Sequence, residues 1–158
     1  MIVVADSSPL IALSRVGRLD LLHTLFGHLV LPDAVWAEVA ESGPPLAGAA
    51  ELLAATWIEH RAVKDTALVN LLRQDLGAGE SEAIVLAREL QADVLLMDER
   101  LGRTAAKRLG LTVTGLVGIL IEARQRGILA DATALAEELK SSAGFWISDD
   151  LMKLIAGP

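Results

Sequence analysis

The sequence predicts a three-layer α/β/α sandwich with a central parallel sheet, and three observations carry that expectation. The β-branched and leucine-rich runs IVVA (2–5), HLVL (28–31) and DVLLM (93–97) are continuous rather than alternating. Strands read that way when helices cover both faces of the sheet. Apolar segments at helical spacing, with start and stop signals, separate them. The order then alternates strand and helix along most of the 158 residues, as parallel strands joined by crossovers require.

Taken in order, IVVA is the first strand, and SSPLIALSRVG follows as a helix with Ser8 as N-cap and Pro9 at the first helical position. LDLLHTLF is a short helix before HLVL, which ends at Pro32. Helix DAVWAEVAES stops near Gly43-Pro44-Pro45, the strongest breaker in the chain. LAGAAELLAA reads as a helix, WIEHRAV as a strand and DTALVNLLRQ as a helix. LGAG is a loop, and ESEAIVLARELQ is a strong helix. Strand DVLLM, helix RLGRTAAKRLG, strand LTVTG and helices LVGILIEARQRG and DATALAEELKSS complete the body. Residues 1–158 read as one domain, with 141–158 a tail amphipathic enough to dock on the body or on a second subunit.

Composition narrows the function. There are no cysteines, so neither disulfides nor thiolate metal sites are available, and nothing marks a secreted chain. Charges interrupt every apolar run well before the ~18 residues a membrane span requires. No basic segment precedes the N-terminal apolar run, so a signal peptide is not expected. A cytoplasmic protein is the expectation. The net charge of −7 argues against nucleic-acid binding by bulk electrostatics. Any such binding has to come from a local site.

The carboxylates supply one. In open parallel sheets, ligands collect beyond the carboxyl ends of the strands, where strand order reverses. Asp6 and Asp98 each end a buried strand. Asp98 alone reads equally well as a helix N-cap, whereas Asp6 has no such duty if Ser8 begins the helix. Glu38 shares a helix face with Ala34 and Val35, a costly position for a charge without a partner. Glu80 and Glu82 open a helix that is otherwise almost wholly apolar. The helix dipole accounts for one of them, and two residues apart they point in different directions, so at most one joins Asp6 and Asp98.

Carboxylates gathered in a crevice raise one another's pKa and destabilise the fold unless a cation relieves them. The donors are all oxygen, and His23, His28 and His60 lack metal-ligand spacing, so Mg²⁺ or Mn²⁺ suits the set better than zinc. Such an ion equips a site for phosphodiester cleavage.

The motifs VADSSPLI, LPDAVWAEV, GESEAIVLA and LLMDERLGRTAAKRLG, in that order, resemble those of the PIN-domain nucleases, in particular the compact branch containing VapC-like toxins. The tail GFWISDDLMKLI is similar to an uncharacterised PIN-like subgroup placed with that branch. The resemblance spans nearly the whole chain. It implies a Mg²⁺- or Mn²⁺-dependent endoribonuclease acting on single-stranded or structured RNA. It further implies the toxin of a toxin–antitoxin pair, often dimeric and inhibited by a small partner protein.

Carried over by motif, the catalytic acids are Asp6, Glu38, Glu82 and Asp98, with Glu80 the alternative to Glu82. Asp6, Glu82 and Asp98 would hold the metal and Glu38 would orient or deprotonate the attacking water. Ser8 and Glu99 would support the site, and Arg100, Arg103 and Lys107 would guide the RNA backbone. Two departures stand out: Glu at the third position, where Asp is common, and Met97, where a Ser or Thr often precedes the fourth acid. Two rivals remain. One is a PIN-like module that binds without catalysis, and the other is a Mg²⁺-dependent phosphoacceptor or phosphatase domain. The latter usually needs a Lys near the last strand, and LTVTGLVG has none.

Overall fold

The computed structural model describes residues 1–41 and 49–158. Its centre is a five-stranded, wholly parallel sheet of order β3-β2-β1-β4-β5. The strands are β1 (Val3–Ala5), β2 (Leu29–Pro32), β3 (Ile58–Arg61), β4 (Val94–Leu96) and β5 (Val113–Thr114). The chain builds outward from β1 through β2 to β3, then returns to place β4 on the other side of β1. Strand order therefore reverses between β1 and β4, and the carboxyl ends of strands at such a reversal are where ligands collect in open parallel sheets. Every residue of β1 and β2 is buried, while the edge strands β3 and β5 are partly exposed. The continuous apolar runs of the sequence belong to strands covered on both faces.

Helix α1 (Ser7–Arg15) follows β1 and α2 (Asp20–Phe26) precedes β2. Next come α3 (Asp33–Glu41), α4 (Ala49–Ala54), α5 (Thr66–Leu72), α6 (Ala78–Glu89) and α7 (Arg100–Arg108). The last three are α8 (Leu116–Gln125), α9 (Ala132–Ser142) and α10 (Asp149–Ala156). The expected breaker at Gly43-Pro44-Pro45 and the start of the LAGAAELLAA helix lie outside the described residues.

Two helix starts differ from expectation. Helix α1 begins one residue before Ser8, with Asp6 in the N-cap position and Ser7 as its first residue. Pro9 thus lies two residues inside α1. It fits because first-turn amides have no intrahelical partner, so a missing N–H costs nothing there. Helix α6 begins inside the expected LGAG loop, with Gly77 as N-cap and Gly79 in the first turn.

Caps fix other starts: Asp65 accepts from the Leu68 amide at 3.0 Å, Asp131 from Ala134 at 3.1 Å, and Ser148 from Leu151 at 3.2 Å. Of the expected tail 141–158, Ser141 and Ser142 end α9 and Asp149–Ala156 form α10, which packs on α8 and α9; Ile147 before it and Ile155 within it are buried. Among the described residues no helix is long and apolar enough to cross a membrane.

Leu96 anchors this arrangement. It is fully buried, pairs with Ala5 on one side and Thr114 on the other, and its carbonyl accepts the Asp6 amide at 2.9 Å. Leu96→Ala is expected to cost about 2–5 kcal/mol of folding free energy, read as a lowered urea midpoint.

Candidate functional site

At the β1–β4 reversal a carboxylate is buried without a hydrogen-bond partner. Asp6 follows β1 directly and is 1% exposed. Neither of its carboxylate oxygens has a hydrogen-bond partner, although the residue holds the N-cap position, where a side-chain bond is usual. Burial pushes its carboxyl up to about 7, and the charges of Glu80, Glu38 and Asp98 push in the same direction. The backbone N–H of Ser7 beside it offsets part of this.

Asp98 lies on the other side of the reversal. Since Ala5 pairs with Leu96, Asp98 stands one residue further along than Asp6 on the neighbouring strand, roughly 6 Å away between Cα atoms. Its Oδ1 accepts the Leu116 amide at 2.9 Å, while its Oδ2 is buried without a partner. Burial raises its carboxyl above the ordinary range, and the Leu116 N–H and Arg103 hold it back. Asp98 thus serves a helix start, but that of α8 rather than the α7 that follows it. The N-cap of α7 is Glu99, whose Oε2 accepts the Gly102 amide at 2.6 Å. This bond turns the Glu99 carboxylate to a structural duty, in contrast to the supporting site role expected of it.

Of the two acids on α6, Glu80 is the one whose charge bears on Asp6; its carboxylate lies beside Gly77, where a Cβ would collide with it. Its charge is the strongest carboxylate influence on Asp6, and Glu82 exerts none that registers. Glu82 turns instead toward α3, where its Oε1 accepts the Ala34 amide at 3.1 Å. It satisfies one of the free donors of that helix start. A rotation of ~200° separates two residues that are two apart on a helix, so the apolar side of α6 that faces the sheet decides which acid meets Asp6.

Glu38 is half-buried on α3 and accepts from the Ser7 hydroxyl at 2.7 Å. The hydroxyl that reaches the acids is therefore Ser7, which is buried, and not Ser8, which is exposed. The one-residue shift in the start of α1 exchanges them. Two glycines make room. A Cβ at Gly79 would collide with the Glu38 carboxylate, and one at Gly115 would lie 2.5 Å from Asp98 Oδ1 and 2.7 Å from Arg103 Nη1. Neither Ser7 nor these glycines was singled out from sequence. The signal available was the small-residue pattern GAGES at the start of an acid-bearing helix.

Of the expected RNA-guiding residues on α7, Arg100 and Lys107 are exposed. Arg103 is half-buried and its Nη1 donates to the Met97 carbonyl at 3.1 Å. Met97 itself is fully buried, so no hydroxyl orients Asp98 from that position.

Among the described residues, no three carboxylates or imidazoles already surround a point at ligating distance. Yet the donor set fits a hard cation. Asp6 and Asp98 present three buried oxygens without hydrogen bonds, and those are atoms that demand either protons or a positive charge. Carboxylate oxygens are the donors Mg²⁺ and Mn²⁺ accept.

A parallel sheet with buried acids at its strand-order reversal defines an α/β protein with a carboxylate-bearing site at the strand ends. The sequence matches the PIN domain family over residues 2–156, and the chain belongs to that family. PIN domains are generally nucleases. No curated protein sequence matches the chain. Among solved structures it is similar to a PilT N-terminus domain protein from the hyperthermophilic archaeon Sulfolobus solfataricus P2. The two share 19% identity at a TM-score of 0.50, over 94% of this chain and 98% of the other. That likeness concerns the fold.

Two outcomes follow from the site's electrostatics and packing. The Asp6 carboxyl ionises near 3.8 when unfolded and at about 7 when folded, so the unfolded state loses its proton first as pH rises. Stability should fall between about pH 4 and pH 7 and then level off, by on the order of 4 kcal/mol from this group. Asp6→Asn should remove most of that slope and raise the melting temperature of the metal-free protein at pH 8. Gly79→Ala should cost about 1–3 kcal/mol in urea denaturation, since Glu38 must leave Ser7.

Proposed function

We propose that the protein is a Mg²⁺- or Mn²⁺-dependent endoribonuclease whose metal is held by Asp6, Asp98 and Glu80. The observation that carries this reading is the fully buried Asp6, with both oxygens unpartnered and three further acids pressing on it. Such a group stays in a fold at considerable cost, and a divalent ion converts that cost into binding free energy. When bound, the ion supplies a lowered pKa for water and positive charge against the phosphoryl oxygens.

The chain's own residues do the rest. Glu38 accepts the proton of the attacking water, because its charge bears on Asp6 and its carboxylate is oriented by the Ser7 hydroxyl. Ser7 sets the orientation of Glu38, and Gly79 leaves it space. Glu82 replaces none of these functions; it holds α3 to α6 through the Ala34 amide. Asp6 itself is buried, and burial strengthens the charge interactions it takes part in.

The family resemblance further supports RNA as substrate, a toxin role with a small inhibitory partner protein, a homodimer, and residence in the cytoplasm; these are part of the proposal. A second reading, a PIN module that binds without cleaving, draws on the Leu116 amide already occupying one Asp98 oxygen.

Paired substitutions separate the readings. Glu80→Gln and Asp98→Asn should each reduce Mn²⁺-dependent cleavage of single-stranded RNA by at least about 100-fold, about 3 kcal/mol of transition-state stabilisation. Glu82→Gln should leave cleavage within several-fold of wild type. Mn²⁺ should raise the melting temperature of the wild type at pH 8. A protein that gains no stability from Mn²⁺ and cleaves no RNA would overturn the nuclease reading, and stabilisation without cleavage would favour the binding module.

A further inference from the structure

The acid site also contains a fixed cation. Arg103 Nη1 lies 2.7 Å, and Asp98 Oδ1 2.5 Å, from the same point beside Gly115. The two charges therefore lie within the ~4–6 Å over which opposite charges interact strongly. Yet none of the ion pairs among the described residues joins them. The guanidinium is tied to the Met97 carbonyl, the backbone step between β4 and Asp98. That single bond fixes the head group while leaving most of its five N–H donors for another acceptor.

We infer that Arg103 binds the phosphodiester under attack, as an anion-binding position built into an otherwise anionic site. The inference rests on the nuclease reading and assigns one residue a contact that Arg100 and Lys107 do not make. Three considerations carry it. A phosphate entering among Asp6, Glu38, Glu80 and Asp98 meets repulsion on every acidic side, and a positive group already inside offsets it without help from the screened surface. The planar fork of Arg suits two phosphoryl oxygens at once, which a Lys does not. Finally, the head group is half-buried and tethered, so little side-chain freedom is lost on binding. Arg100 and Lys107 are exposed on the same helix and contribute only long-range attraction. In a chain of net charge −7, affinity for a polyanion depends on such local cations.

A purely bracing role, in which Arg103 holds Met97 and Asp98 in place, predicts different behaviour. The test uses the full chain with a fluorescent single-stranded oligouridylate and Ca²⁺ in place of Mn²⁺, so that binding is read by anisotropy apart from turnover. Melting temperature and its rise with Mn²⁺ are read in parallel. Arg103→Met should weaken RNA binding about tenfold or more and reduce the salt dependence by about one phosphate contact. Arg103→Lys should recover part of the affinity. Both should keep the Mn²⁺ response. Wild-type affinity and salt dependence in Arg103→Met would overturn the inference while leaving the nuclease reading intact. So would a loss that tracks a lost Mn²⁺ response, because Arg103 would then act through Asp98. If Arg103→Met fails to fold, the same comparison is made on Arg103→Lys, with a wild-type affinity and salt slope overturning the inference. Absence of RNA binding by the wild type would remove the nuclease reading itself.

Discussion

An ionisable side chain with no partner, buried where the strand order of the sheet reverses, is the constraint from which the rest of the site follows. Asp6 is enclosed because β1 is the central strand, with β2 and β4 paired on either side. Helix α1 begins immediately after it, so the carboxylate has no loop in which to turn away. Its neighbours arrive on separate elements: Glu38 on α3, Glu80 on α6, Asp98 after β4. Folding alone assembles them, and their mutual repulsion is paid by the apolar core that surrounds the sheet.

Each acid is aimed by something other than acid. Ser7 holds Glu38 and the start of α8 holds Asp98, while absent side chains at Gly79 and Gly115 admit the carboxylates so closely. Glu82 and Glu99 show the contrasting use of the same chemistry. Each neutralises a free amide in a first helical turn, Glu82 across to α3 and Glu99 on its own α7. Two carboxylates within two residues of the site's acids thus belong to the architecture, a division set by direction rather than by residue type.

The parts legible in the sequence were those that local rules dictate. Continuous apolar runs identified buried parallel strands, and an acid ending each of two such runs located Asp6 and Asp98. Glu38 was visible because a charge on an apolar helix face demands an explanation. What the sequence left open depended on phase. Whether Glu80 or Glu82 meets Asp6 is decided by the rotation of α6 about its axis, which tertiary packing sets. Ser8 was the hydroxyl expected at the site, and a single residue of helix start puts Ser7 there instead; Pro9 tolerates either beginning. Arg103 was grouped with two surface cations because spacing along α7 does not reveal that one face of it abuts Asp98.

The divided engagement of Asp98 bears on how its replacement should be understood. One oxygen belongs to the first turn of α8, and α8 in turn supports the terminal helix α10. An asparagine at this position retains a carbonyl able to receive the Leu116 N–H, so electrostatic and scaffolding contributions are separable there by an isosteric change. Alanine would abolish both together, and any functional deficit it produced would carry no information about charge.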